Sequence, residues 1–272
     1  MTRLDRATTQ RPFARELRFA VIQLAVWAGL YGAYLVVRSL AIEQAGAAFV
    51  HARQLIDVER HTGLLLERGV QDAVASLGEL RTFFDLYYLL GFGPLLGLTL
   101  VWLGLRRRGA YRELRAAMLA SLALASALFV LYPTAPPRLI PGLGIADTVG
   151  LAGHDTGSFA GIHFDPYAAM PSMHVGWSLL LALVGVRAFR TRPVRLLFAL
   201  HPVLMTVAVT TTGNHFLLDA LAGAAVALLG YALVSCRSLW VLSRLPLLAS
   251  AAARVCSARG QPLPPAPGTR RA

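Results

Sequence analysis

The sequence predicts an all-α membrane protein: a polytopic bundle of six transmembrane helices accompanied by short interfacial helices. Three observations lead there. Of its 272 residues 56% are hydrophobic and 15% charged, with a mean hydropathy of +0.57, too apolar for an ordinary soluble domain of this size. Apolar runs near the ~20 residues that cross a hydrocarbon core recur six times. All 26 basic residues are arginines, gathered between those runs, as topology signals are. A net charge of +12 would suit a nucleic-acid binder, but no basic face with interleaved aromatics sits on a soluble module, so no nucleic-acid partner is expected. Cys236 and Cys256 form no metal motif and are not expected to pair.

The elements follow in order. Residues 1–18 form a polar tail with Arg3, Arg6, Arg11, Arg15 and Arg18. Residues 19–37 carry no charge and exceed the ~7–15-residue core of a secretory signal, so they read as a retained first span. In 41–82 the apolar Phe49, Val50, Leu55, Val58 and Leu64 to Leu66 alternate with His51, Arg53, Asp57, Glu59, Arg60 and His61, broken by Gly63 and Gly69; this predicts one or two amphipathic helices lying on the interface. The second span, 83–105, holds Asp85 near its start and Tyr87 and Tyr88 in an aromatic-belt position, and stops at Arg106, Arg107 and Arg108. The third, 116–132, runs into a Gly-, Pro- and Asp-rich loop over 133–171, a length usually functional or disordered. Spans four to six cover 171–189, 196–212 and 216–236. The organisation expected is a tail over 1–18, a six-span domain over 19–240, and a basic, Pro-rich tail over 241–272.

Charge sets the orientation. Twenty of the arginines fall in 1–18, 106–115, 187–195 and 237–272, and the other six (Arg38, Arg53, Arg60, Arg68, Arg81 and Arg138) lie on the opposite side. The positive-inside rule then places both termini in the cytoplasm. Arg138, His174 and His215, far apart in the chain, arrive at one depth on the extracytoplasmic face.

Those residues carry the chemistry. His215 and Asp219 are four apart, which on a helix puts them on one face. A carboxylate there fixes the imidazole tautomer and makes its other nitrogen a better nucleophile or base. A self-satisfied pair buried in the bundle is the plainer alternative. His174 is the third residue after Pro171, and proline favours a helix start; Ser172 and outward-pointing N–H groups there would suit an anion, with His174 moving a proton. An interfacial histidine at a simple helix start is the alternative. Arg138 follows two prolines and offers the planar fork that suits phosphate, or else it snorkels to the interface. Jointly, an arginine, a serine, two histidines and a carboxylate on one membrane face suit phosphoryl transfer. A transporter or channel binding an anionic solute is the second possibility, although such sites usually lie at the midplane and no inverted repeat is evident.

Pro171-Ser172-Met173-His174 and His215-x3-Asp219 resemble the second and third signature motifs of the type 2 phosphatidic acid phosphatase superfamily. Pro136-Pro137-Arg138 resembles a shortened form of its first. Together with Tyr132-Pro133, Met170 and Asn214 the pattern is most similar to the inositolphosphotransferase (inositol phosphorylceramide synthase-like) branch, over roughly 80–235. The resemblance implies a phosphatidic acid phosphatase/haloperoxidase-like core and a phosphohistidine mechanism. His215 is then the nucleophile and Asp219 its orienting partner, with His174 as general acid and base. Arg138 and Ser172 hold the phosphate, and no metal or other cofactor is implied. The substrate would be a membrane phospholipid or polyprenyl phosphate, and the acceptor an alcohol or water. The chain departs from the phosphatase form at Ala208 and Val209, where that form has Ser-Arg, at Leu131 in place of lysine, and at Met173 in place of glycine. Two phosphate-binding cations are thereby missing, which favours the phosphotransferase branch.

Other polar residues receive simpler readings. His154, Asp155, His163 and Asp165 form no compact ligand motif and read as loop residues. His201-Pro202 reads as a helix kink far from the site, His51 and His61 as interfacial, and Asp85 as a possible headgroup contact. Gly223 and Ala227 suit close helix packing.

Overall fold

Alternating apolar runs and arginine clusters become a bundle of helices in the computed structural model, which describes residues 16–32, 36, 44–150, 158–159, 162–163 and 167–235. Helix α1 covers 16–32. Helices α2 (Ala45–Thr62), α3 (Glu67–Ala75) and α4 (Glu79–Leu86) follow, and a π-helical turn, Tyr87–Gly91, joins α4 to α5 (Phe92–Arg106). Then come α6 (Arg108–Leu131), a 3₁₀ turn Pro137–Leu139, α7 (Met173–Ala188), α8 (Arg192–Thr211) and α9 (Leu217–Val234). Two short antiparallel strands, β1 (Ser158–Phe159) and β2 (Ile162–His163), pair within the long loop.

Four helical stretches are long and apolar enough to cross a membrane: Glu79–Arg106, α6, α8 and α9. These answer to the expected second, third, fifth and sixth spans; the second begins four residues earlier than its apolar run. The expected fourth span is α7, whose 16 residues reach roughly 24 Å, short of the ~30 Å core. Its neighbours cover it, burying Val175, Leu180, Leu181 and Val184. The first expected span is helical over 16–32, and the rest of it, apart from residue 36, lies outside the described residues, as do both tails beyond 16 and 235. Large apolar side chains face outward on the long helices, among them Leu98 at 71% exposed and Leu131 at 75%, as a chain solvated by lipid requires.

The inner core joins α5, α6, α7, α8 and α9 through Leu103, Leu114, Met118, Leu181, Phe198 and Ala227. Between helices in lipid, van der Waals packing rather than burial from water drives association, so small residues mark the seams. Gly223 is the tightest case: a Cβ there would stand 2.0 Å from the Ser172 carbonyl oxygen, and one on Gly176 would stand 2.6 Å from the Gly223 oxygen. The packing role expected of Gly223 and Ala227 is observed, and the seam it closes is that between α7 and α9.

Helices α2 and α3 do not form a separate layer. Ala48, Ala52, Leu55 and Ile56 of α2 pack against Ala135, Ile140 and Phe216, so the segment read as interfacial covers the loop after α6 and the start of α9.

Candidate active site

The C-terminal ends of α6 and α8 and the N-terminal ends of α7 and α9 meet at one end of the bundle. All five residues singled out in the sequence arrive there. Helix α8 closes with Thr210, Thr211 and Thr212, whose hydroxyls each donate to the carbonyl four residues back. Gly213 then turns the chain at φ +70°, a conformation glycine adopts freely. The N–H groups of both Asn214 and His215 donate to the Val209 carbonyl, at 3.1 and 3.2 Å, and this fixes His215 at the mouth of α9.

His215 is not on the helix with Asp219, contrary to the register expected from their spacing. The N-cap is Phe216, one residue later. The carboxylate of Asp219 accepts the Phe216 N–H at 2.8 Å, half of a capping box; phenylalanine has no acceptor for the other half. The cap turn brings His215 Nδ1 to 3.5 Å from the same Asp219 oxygen, an ion-pair approach longer than a hydrogen bond. Asp219 is fully buried, so it faces His215 and the backbone rather than solvent.

Ser172 caps α7 by position but not by its hydroxyl. Ser172 does not point outward, as a helix start set for an anion would have it: it is 0% exposed and its N–H donates to the Asp219 carbonyl at 2.9 Å, tying the two helix starts together. Its Oγ is buried with no hydrogen-bond partner. Pro171 precedes the cap, joined to Met170 by a cis peptide bond. His174 is the second residue of α7. Its ring lies 6.1 Å from that of His215, centroid to centroid, and packs on Tyr88 and Phe92 at 5.2 and 5.0 Å.

Arg138 closes the group. Its N–H donates to the Gly213 carbonyl at 3.1 Å, its guanidinium donates to Asn214 Oδ1, and Nε lies 3.9 Å from Asp147 Oδ2. The side chain is 4% exposed. Arg138 is therefore built into the His215 turn and does not snorkel. The loop that carries it is clamped by Thr134, which exchanges backbone hydrogen bonds with Tyr167 and Ala169, and by His51, which bonds the Pro133 carbonyl at 2.7 Å and stacks on Tyr132.

Several contributors escaped sequence reasoning. Glu67 Oε1 accepts the Leu217 N–H and Glu59 Oε1 the Leu218 N–H, each at 2.8 Å, so two glutamates from α2 and α3 satisfy the first N–H groups of α9. Both are 0% exposed. Burial pushes the Glu59 carboxyl up to about 8, with the neighbouring Glu67 and Asp219 adding to the rise. The signal was present: Glu59 lies on the same stripe as Ala48, Ala52, Leu55 and Ile56, where a charge is out of place on an amphipathic helix. Gln71 bridges loop and helix, donating to the Ala146 and Thr211 carbonyls and accepting the Ala146 N–H.

His201 also differs from its reading as a kink marker. It is fully buried and bonds the Tyr87 hydroxyl at 2.6 Å and Ser178 Oγ at 3.1 Å. The π-turn, a feature frequent at functional sites, thus aims consecutive tyrosines at two histidines, Tyr87 at His201 and Tyr88 at His174. Asp85 is held by Arg81 and Thr148. His61 bonds the Asp57 carbonyl on the exposed face of α2. His154, Asp155 and Asp165, together with the His163 side chain, lie outside the described residues.

Fold and site together define a multi-pass membrane protein with a two-histidine, one-arginine polar centre at one end of its helical bundle. The chain belongs to the PAP2 superfamily, whose family model matches residues 53–233. That match reaches back through α3 into α2, further than the motifs alone implied. The crystal structure of Aquifex aeolicus LpxE aligns with a TM-score of 0.47 at 19% identity, covering 62% of this chain and 91% of that one. No curated protein matches the chain.

Proposed function

We propose that this protein is a membrane lipid phosphotransferase or phosphatase that works through a phosphohistidine on His215. The observation that carries the proposal is the pairing of His174 and His215 across 6.1 Å, from two different helix starts, with Arg138 fastened to the same turn. One phosphoryl group between the rings would lie within the ~2.6–3.2 Å reach that proton transfer and attack require.

The geometry supports the following steps. Asp219 faces Nδ1 of His215, which leaves Nε2 to attack phosphorus. As the N–P bond forms, the bond from phosphorus to the leaving oxygen breaks, and His174 gives that oxygen its proton. Water or an alcohol then loses a proton to His174 and attacks phosphorus; the P–N bond breaks and its electron pair returns to His215. Arg138 neutralises the phosphoryl oxygens through the reaction, and the Ser172 hydroxyl, without a protein partner, donates to one of them.

The inositolphosphotransferase branch is the finer reading. It rests on the motif pattern and on the absence of cations at Ala208, Val209 and Leu131; Ala208 and Val209 are fully buried in apolar surroundings. The arginine distribution supports termini in the cytoplasm, the catalytic centre on the extracytoplasmic face and a single membrane domain over 19–240.

The test is to incubate purified protein with a panel of phospholipids and polyprenyl phosphates, with and without alcohols such as inositol. Inorganic phosphate marks hydrolysis and a new phosphodiester marks transfer. Turnover of every lipid phosphate left intact by His215→Ala overturns the mechanism.

A further inference from the structure

Glu59 and Glu67 stand eight residues apart, across the turn at Gly63, where the backbone takes φ +74° and the Glu59 carbonyl accepts the N–H groups of Leu64 and Leu65. That turn separates α2 from α3, and both carboxyl groups reach the same helix start. Each also takes one N–H from the first turn of α9. The second oxygen of each, Oε2, is buried and has no hydrogen-bond partner.

Among the described residues the groups facing this pair are few. Asp219 approaches from α9, with His215 behind it. On α2 and α3 themselves, Arg60 pairs with Asp57 and Arg68 with Asp72 on the exposed side. Three carboxyl groups thus crowd one helix start. Backbone N–H groups and the positive end of the helix dipole compensate part of that charge. Neighbouring carboxylates out of water disfavour one another's charge, so one of them holds a proton more tightly.

We infer that Glu59 and Glu67 share one proton and act as a positioning pair, clamping the first turn of α9 so that His215 and Asp219 keep their register, and that loss of this proton releases the clamp. The assignment to catalysis rests on the function proposed above; the proton-sharing clamp does not. The proton resides on Glu59, and the pair carries one negative charge. Burial and the two neighbouring carboxylates hold the proton on Glu59 up to about pH 8, against an ordinary value of 4.5. A carboxyl raised in the folded state binds its proton more tightly there than in the unfolded chain. Its stabilisation is therefore complete below about pH 4.5, falls as pH rises toward 8, and is flat beyond.

The experiment compares the full-length wild type with Glu59→Gln in detergent. Glutamine keeps an acceptor for the Leu218 N–H, but has no proton to lose. The thermal midpoint of the wild type is expected to fall relative to that of the variant between pH 5 and 8 and to run parallel above it. Amide exchange at Leu217 and Leu218, corrected for intrinsic rate, is expected to accelerate at least tenfold between pH 6 and 9 in the wild type and not in the variant. In the lipid phosphate assay, Glu59→Gln is expected to retain wild-type turnover at pH 6 and to move the alkaline limb upward by a pH unit or more.

Glu67→Gln, which removes a neighbouring charge from Glu59, is expected to lower the pH above which the midpoint stops falling relative to Glu59→Gln. Parallel midpoints for wild type and Glu59→Gln from pH 5 to 9, or pH-independent exchange at Leu217 and Leu218, would overturn the inference. The expected midpoint and exchange changes in a protein that turns over no lipid phosphate would uphold the clamp and refute the proposed function.

Discussion

The two helix starts that carry the histidines are adjacent and built in opposite ways. At α9 the leading N–H groups are consumed inside the protein: Phe216 donates to Asp219, Leu217 to Glu67 and Leu218 to Glu59. Three buried acidic side chains fill the place where an anion would bind. At α7 the first turn holds no acidic residue, no side chain caps it, and the Ser172 hydroxyl has no protein partner. A helix start attracts anions through its N–H groups and dipole. The α9 end directs that attraction at carboxyl groups, whereas the α7 end keeps it beside His174. On the proposed mechanism the two ends divide the work: α9 presents the nucleophile, and α7 receives the phosphate.

Substitutions can break or sharpen this contrast. The largest effect is expected at the α9 side from His215→Ala, which removes the attacking nitrogen and should reduce lipid phosphate turnover to background while leaving the thermal midpoint near wild type. His174→Ala should lower turnover by roughly 10²–10⁴-fold, the usual contribution of a positioned acid or base. The loss should shrink for substrates with acidic leaving groups such as nitrophenol, because these depart without a proton. An equal loss for both substrate types would remove His174 from the role of general acid.

Arg138→Lys keeps the charge but not the fork that reaches Asn214 and the phosphate. A fall of about 10²-fold in kcat/KM is expected, the scale for losing one charge-stabilising donor. Ser172→Ala sharpens the contrast most directly at the α7 side. A buried hydroxyl without a partner is costly, so the variant should be as stable as wild type or slightly more so by thermal unfolding, while kcat/KM falls about tenfold. A clear loss of stability would make Ser172 a cap and return α7 to the same design as α9. Gly223→Ala perturbs the seam between the two starts. Overpacking of this kind costs about 1–3 kcal/mol, read as a lowered midpoint together with lost turnover.

How much of this was legible in the sequence depends on the interaction involved. Apolar run length and arginine placement are local features, and they located Glu79–Arg106, α8 and α9 within about four residues, while α6 starts at Arg108, before the expected 116. The motif residues Arg138, Ser172, His174, His215 and Asp219 were legible because polar groups at the mouths of apolar runs have no packing reason to be there. What was not legible was how they touch. The four-residue spacing of His215 and Asp219 suggested a shared helix face, yet Gly213 and the Val209 carbonyl place the helix start one residue after His215. Glu59 read as one of the polar residues of an interfacial helix, although it shares a stripe with Ala48, Ala52, Leu55 and Ile56, and Glu67 received no reading; their partners are backbone N–H groups some 150 residues away, and no side-chain pattern encodes which ones. His201 looked like a kink beside Pro202, because its partners, Tyr87 and Ser178, come from other helices. Sequence showed which groups are chemically out of place; the fold was needed to show what each one faces.

The central claim is that His215 becomes phosphorylated. Its most direct test is to mix the protein with a lipid labelled in its phosphate, quench in alkali within the first turnover, and map the label by peptide analysis. The expected result is label on the peptide containing His215, stable in alkali and released by acid as a phosphoramidate should be, and absent from His215→Ala. Turnover by the wild type with no protein-bound label at any time point, or label that persists in His215→Ala, would contradict it.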